Sequence, residues 1–137
     1  MITRVWERLY LGSLRDAAEL AAENPFGITA VVSLCSHKVP HKASGVRYTR
    51  VPIPDSSPIS ARQFNAVMTA IAEGIRHDRL LIHCVGGVSR SPTMTAAWLH
   101  RCGCLNIVTA LREIAERRPS IDPSPALLRS VAAHLRR

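Results

Sequence analysis

Leu80-Leu-Ile-His-Cys-Val-Gly-Gly-Val-Ser-Arg-Ser-Pro92 sets the terms on which the rest of the chain is read. Leu80 to His83 is a short aliphatic run of the kind buried on both faces of a sheet. Gly86 and Gly87 follow, where the backbone can curl without the steric penalty of a side chain. A helix is expected soon after Ser91-Pro92, over Thr93–Arg101. Strand, glycine turn and helix in succession predict a loop whose N–H groups converge on an anion. The positive end of the helix is aimed at the same point.

The residues of that turn carry a definite chemistry. The backbone of Val85, Gly86, Gly87, Val88 and Ser89 is expected to bind phosphate, and Arg90 to close the ring with a planar, two-pronged grip on its oxygens. Donors that hold phosphate also favour a thiolate, which makes Cys84 a nucleophile for in-line attack on phosphorus. Ser91 stands where its hydroxyl can stabilise the thiolate leaving a phosphocysteine. His83 is expected to shape the loop rather than act as a base, since an ionised thiol needs none. The chain contains its own control. Six positions beyond Cys35, Cys102 and Cys104 lie His41, Val108 and Ala110, and only Cys84 finds an arginine there.

Phosphoester cleavage also needs a proton for the departing oxygen. Asp55 lies in Val51-Pro-Ile-Pro-Asp-Ser-Ser-Pro58, directly after a predicted strand. Parallel strands deliver their C-terminal loops to one edge, which can bring Asp55 to Cys84. Asp122, in Arg118-Pro-Ser-Ile-Asp-Pro-Ser-Pro125, reads as part of a turn into the last helix and is the second contender.

Working outward, strands are predicted over Arg8–Leu11, Ala30–Leu34, Tyr48–Ile53 and Leu80–His83. The other helices are predicted over Arg15–Ala22, Ala61–Ile75, Ile107–Arg118 and Ala126–Leu135, with Ser60 and Ser124 as capping residues. This order is that of an α/β fold, a mostly parallel central sheet of about four to five strands flanked by helices. With no linker and no repeat, residues 1–137 are expected to form one domain. Hydrophobic residues make up 47% and aromatics only 4%, so the core must come from Ala, Val, Leu and Ile. No apolar stretch reaches membrane-spanning length and Met1–Tyr10 lacks the apolar block of a secretory signal, so a soluble cytoplasmic protein is expected.

Sixteen Arg and two Lys against ten acids give a formal charge of +8, which favours anionic partners. No acid occurs between Asn24 and Pro54, where His37, Lys38, His41, Lys42, Arg47 and Arg50 gather. The cysteines read as free thiols. Cys102-Gly-Cys104 with His100 nearby lacks the second pair a structural zinc site uses, so no metal is expected.

With these residues assembled, the chain resembles the small atypical dual-specificity protein phosphatases of the cysteine-dependent protein tyrosine phosphatase superfamily. His83-Cys84-Val-Gly-Gly-Val-Ser-Arg90-Ser91 is similar to their His-Cys-x-x-Gly-x-x-Arg-Ser loop. Leu9-Tyr-Leu-Gly-Ser13 resembles their opening strand, and Arg118-Pro119 with the helix near Ser124 their closing segment. The resemblance implies a protein tyrosine phosphatase-like fold and a two-step mechanism without metal or cofactor. In it, Cys84 attacks while Asp55 protonates the leaving alcohol, and Asp55 then directs water at the phosphocysteine. Three departures stand out. A glycine pair replaces the more usual Ala-Gly, and Ser124 and Ser33 stand where asparagines are common.

Members of the resembled family with a long phosphotyrosine-recognition segment before the first strand bury a deep pocket. With only a few residues before Leu9, the resemblance implies a shallow one that takes phosphotyrosine and phosphoserine/threonine of proteins. Lys38 and Lys42 are expected to open on the same edge as Cys84 and contact acidic substrate groups. Two alternatives are a phosphatase for a non-protein polyanion (a phosphoinositide or an RNA 5′-phosphate) and a non-catalytic phosphate-binding module. Nucleic acid enters only as a substrate. Enzymes of the polyanion kind tend to carry Lys or Arg inside the loop, where Val85 and Val88 stand here.

Overall fold

Three of the short runs, 9–12, 30–33 and 80–83, are buried along their whole length, and the fold is arranged around them. The computed structural model describes residues 1–103 and 105–136. In chain order the elements are β1 (Thr3–Arg4), β2 (Leu9–Gly12), α1 (Leu14–Glu19), β3 (Ala30–Ser33), β4 (Arg47–Arg50), α2 (Ala61–His77), β5 (Leu80–His83), α3 (Arg90–Arg101), α4 (Ile107–Arg117) and α5 (Pro125–Leu135). The sheet order is β1-β2-β5-β3-β4, parallel except for β1 against β2. This is the expected α/β architecture, with a mostly parallel sheet flanked by helices.

Alternation along the strands divides the interior. Leu80, Ile82, Ala30 and Val32 face the larger core, built with Met94, Ala96, Ala97, Leu99, Ile114 and Leu127 from α3, α4 and α5. Leu81, Val31 and Tyr10 face a smaller core with Ala17 and Leu20. Strands β3 and β5 feed both, which is why they read as unbroken apolar runs. Strand β4 is one edge, and its exposed Arg47, Thr49 and Arg50 discourage pairing with another chain.

The expected strand Tyr48–Ile53 is shorter and earlier in the structure. Beyond Arg50 the chain still follows β3, with Val51 N–H donating to Ser33 O and Ile53 N–H to Leu34 O. Ile53 thus bonds one residue beyond Ser33 where a regular parallel ladder steps two, so the ladder lapses there. Pro52 and Pro54 fall at the alternate positions, which ask no N–H of them. Helix α3 begins at Arg90 rather than Thr93, because Pro92 is tolerated in a first turn, where its missing N–H costs no intrahelical bond. The short β1 was not expected. The remaining helices lie close to their expected bounds, and Cys104 lies outside the described residues. Among the described residues no helix is long and apolar enough to cross a membrane.

Candidate active site

Strand β5 ends at His83, and the loop that follows is held from outside by its carbonyls. His83 Nδ1 bonds to Cys84 O (3.1 Å) and Leu14 N–H donates to Val85 O (3.0 Å). Arg118 Nε donates to Gly87 O (3.0 Å), Asp122 N–H to Val88 O (2.8 Å) and Thr93 N–H to Ser89 O (3.1 Å). With these carbonyls turned outward, the N–H groups of the loop face the other way. Among the described residues, those of Val85 to Ser89 donate to no protein acceptor. Such a ring of inward donors is an anion nest.

Only one of the two glycines is sterically required. Gly87 has φ +69°, and a Cβ there would fall 2.6 Å from Arg118 Nη2 and 2.7 Å from Gly12 O. A Cβ on Gly86 would meet nothing nearer than Val88 Cγ2 at 3.5 Å. Of the pair, Gly87 is thus the position that the curl cannot spare, while Gly86 has room for a side chain.

Helix α3 supplies the second contribution. The caps of α1, α2, α4 and α5 (Ser13, Ser60, Asn106 and Ser124) each accept a backbone N–H with their own side chain. Ser89, at the same position of α3, makes no such bond. Its hydroxyl instead accepts from Ser124 N–H at 2.9 Å. The amino end of α3 is thus left to whatever anion the loop encloses.

One cavity of about 720 Å³ gathers the reactive groups, lined by Cys84, Arg90 and the loop on one side and by Asp55, Asp122 and Arg129 on others. Cys84 is buried, and its Sγ lies 3.3 Å from Ser91 Oγ, also buried. Arg90 Nη1 donates to Ile53 O at 3.2 Å, two residues before Asp55. The guanidinium is thereby referenced to the segment that carries the carboxylate. Asp55 is exposed, and the next residue, Ser56, takes a left-handed φ of 59° that turns the segment over the cavity. No residue before Asp55 lines this cavity.

His83 is fully buried between two partners. Its Nε2 lies 2.6 Å from Ser33 Oγ, and Cys84 O can only accept, so Nδ1 carries the proton and Nε2 accepts from Ser33. Burial holds its pKa below the ordinary imidazole value, against smaller opposing pulls from its bond to Cys84 O and from Asp16. A neutral ring that braces the loop is the result.

Lys38 and Lys42 line a cavity separate from that of Cys84. Arg118 is a further support of the loop, one that no sequence pattern marks. It is nearly buried, and besides Gly87 O its guanidinium reaches Thr3 Oγ1 (2.8 Å). The only hint in the sequence was its place beside Pro119, which gives no reason for a charge to be buried.

A family model for the dual specificity phosphatase catalytic domain matches residues 9–137. The tyrosine-protein phosphatase yvh1 of Schizosaccharomyces pombe is 30% identical over 135 residues, covering 97% of this chain and 41% of that protein. The tyrosine-protein phosphatase vhp-1 of Caenorhabditis elegans is 30% identical over 128 residues, 90% of this chain and 19% of its own length. The chain therefore spans well under half of these curated relatives. Among solved structures, human DUSP28 superposes with a TM-score of 0.85 at 26% identity, covering 99% of this chain and 96% of that one. A mouse putative dual specificity phosphatase gives 0.84 at 26% identity, covering 98% and 86%. On the strength of the family match over nearly its whole length, the chain belongs to the family of dual specificity phosphatase catalytic domains.

Proposed function

We propose that the chain is one catalytic unit that hydrolyses phosphomonoesters of proteins, phosphotyrosine and phosphoserine/threonine alike, through a phosphocysteine on Cys84. The observation that carries this reading is the meeting of Cys84, Arg90 and Asp55 in one cavity, at the uncapped end of α3. The loop N–H groups and Arg90 hold the three non-bridging oxygens. The Cys84 thiolate attacks phosphorus, the ester P–O bond breaks, and the Asp55 carboxyl gives its proton to the leaving oxygen. Asp55, now a carboxylate, takes a proton from water as that water attacks phosphorus. The P–S bond then breaks, and Ser91, 3.3 Å from the sulfur, donates to the departing thiolate.

Protein substrates are favoured over polyanions by the charge of the cavity. Asp55 and Asp122 balance Arg90 and Arg129 around it and Val85 and Val88 stand in the loop, so a ligand with several phosphates meets no excess of positive charge there. The fold is shared with PTPMT1, whose structure holds PI(5)P, but at 18% identity that likeness concerns the fold alone. The proposed setting is the cytoplasm.

The test is turnover of p-nitrophenyl phosphate, phosphotyrosine and phosphothreonine peptides, and phosphoinositides by wild type, Cys84→Ser and Asp55→Ala. Cys84→Ser is expected to abolish turnover, and Asp55→Ala to lower kcat on the peptides by about 10²–10⁴. Wild-type turnover by Cys84→Ser would overturn the mechanism. Turnover confined to phosphoinositides would overturn the substrate class.

A further inference from the structure

The basic segment between β3 and β4 does not serve the Cys84 cavity, but it is not featureless. Lys38, Lys42 and Arg50 line a second cavity of about 300 Å³, together with Ser33, Val39 and Tyr48. Lys42 Nζ sits 5.4 Å from the centroid of the Tyr48 ring. The Tyr48 hydroxyl accepts from Ala43 N–H at 2.8 Å, and Arg50 Nη1 donates to Ser36 O at 3.1 Å. These bonds fold the segment back on the sheet and gather its cations around one concavity.

The gathered charge has no internal partner. Among the described residues Lys38, Lys42 and Arg50 form no ion pair with a carboxylate, whereas Arg47 at the other end of β4 is paired with Asp78. No acid occurs in the sequence between Asn24 and Pro54. Uncompensated cations around a concave surface concentrate anions there.

The register fixes where this cavity lies relative to the nucleophile. Gly12, His83, Ser33 and Arg50 are neighbours in one row across β2, β5, β3 and β4. His83, the residue before Cys84, is bonded to Ser33 in the wall of the second cavity. Arg50 stands two strand spacings from His83, about 10 Å, which an extended peptide covers in about three residues. In the Cys84 cavity itself Asp55 and Asp122 balance Arg90 and Arg129, so the uncompensated positive charge lies in the second cavity.

We propose that the Lys38–Lys42–Arg50 cavity is an acidic subsite for the substrate polypeptide. It takes a carboxylate or a second phosphate about three to five residues from the phosphorylated residue held at Cys84. The assignment rests on the protein-phosphatase reading above.

Phosphotyrosine peptides test it in three forms: neutral flanks, glutamates three to five residues away on either side, and glutamates directly adjacent. Wild type is expected to favour the distal-acid peptide by about three- to tenfold in kcat/KM, the scale of a few exposed charge contacts. The double variant Lys38→Ala/Lys42→Ala is expected to lose that preference while turning over p-nitrophenyl phosphate at the wild-type rate. The preference also fades in about 0.5 M salt. No distal preference in wild type, or equal losses on neutral and acidic peptides in the variant, would overturn the subsite. An unphosphorylated acidic peptide that alters p-nitrophenyl phosphate turnover would overturn its assignment to the substrate's own chain. Failure of the underlying reading looks different: no phosphopeptide is turned over although p-nitrophenyl phosphate is.

Discussion

Gly87→Ala is the substitution for which the structure gives the most definite expectation. Two costs add. A non-glycine residue in the left-handed region, here φ +69°, costs roughly 1–2 kcal/mol. The new methyl would lie 2.7 Å from Gly12 O and 2.8 Å from Gly12 C, backbone atoms of β2 that cannot rotate away, and 2.6 Å from Arg118 Nη2. Overpacking of this kind costs roughly 1–3 kcal/mol. The sum, about 2–5 kcal/mol, is a large share of the roughly 5–15 kcal/mol that stabilises a domain. Thermal denaturation should show a midpoint about 6–20 °C below wild type. At a temperature where the variant is folded, kcat on p-nitrophenyl phosphate should fall by about 10²–10³, the loss expected when one aimed donor is displaced. Gly86→Ala is the matched control. Its methyl meets only Val88 Cγ2 at 3.5 Å, and its backbone is outside the left-handed region, so the variant should equal or exceed wild type by about 0.4–1 kcal/mol. A Gly87→Ala protein with wild-type melting and turnover would refute the reasoning on both counts.

Other expectations follow from the supports of the same loop. Arg118→Lys cannot reproduce the bonds to Gly87 O and Thr3 Oγ1, so stability should fall by about 2–4 kcal/mol, and competitive inhibition by inorganic phosphate should weaken in parallel. Inhibition unchanged in a folded Arg118→Lys protein would show that the arginine stabilises without positioning the loop. His83 is held neutral, so as pH falls below its ordinary value of 6.5 the unfolded chain takes up a proton that the folded chain refuses. Wild-type stability should therefore decline more steeply than that of His83→Gln between about pH 7.5 and 5.5, measured by denaturant titration. Equal slopes would refute that account.

The loop was legible because its chemistry is contiguous. Cys84, Gly87, Arg90 and Ser91 lie within one strand-turn-helix unit, where sequence spacing is nearly spatial spacing. The buried strands were legible too, since β3 and β5 are apolar on both faces. Less local features were not. Two residues, Thr3 and Arg4, have no period to detect, and they pair only because β2 offers an edge. Arg118 takes its meaning from Gly87, 31 positions away. That Lys38 and Lys42 line a cavity of their own was not legible, because the edge of the sheet reached by a loop does not say which way it folds. The bond from Ala43 N–H to the Tyr48 hydroxyl decides that, and no pattern announces it.

The missing cap on α3 has a consequence for how the folded state is measured. Elsewhere in the chain a serine or asparagine completes the helix end, a contribution of about 1 kcal/mol each. At α3 the completing group must arrive from solution, so a bound oxyanion serves as the last piece of the fold as well as a ligand. By mass action an anion at a hundred times its dissociation constant adds about 2.7 kcal/mol to the native state. A melting curve recorded in phosphate or sulfate buffer is therefore that of a liganded protein. The intrinsic stability is the one measured in a buffer that has nothing to offer the end of α3.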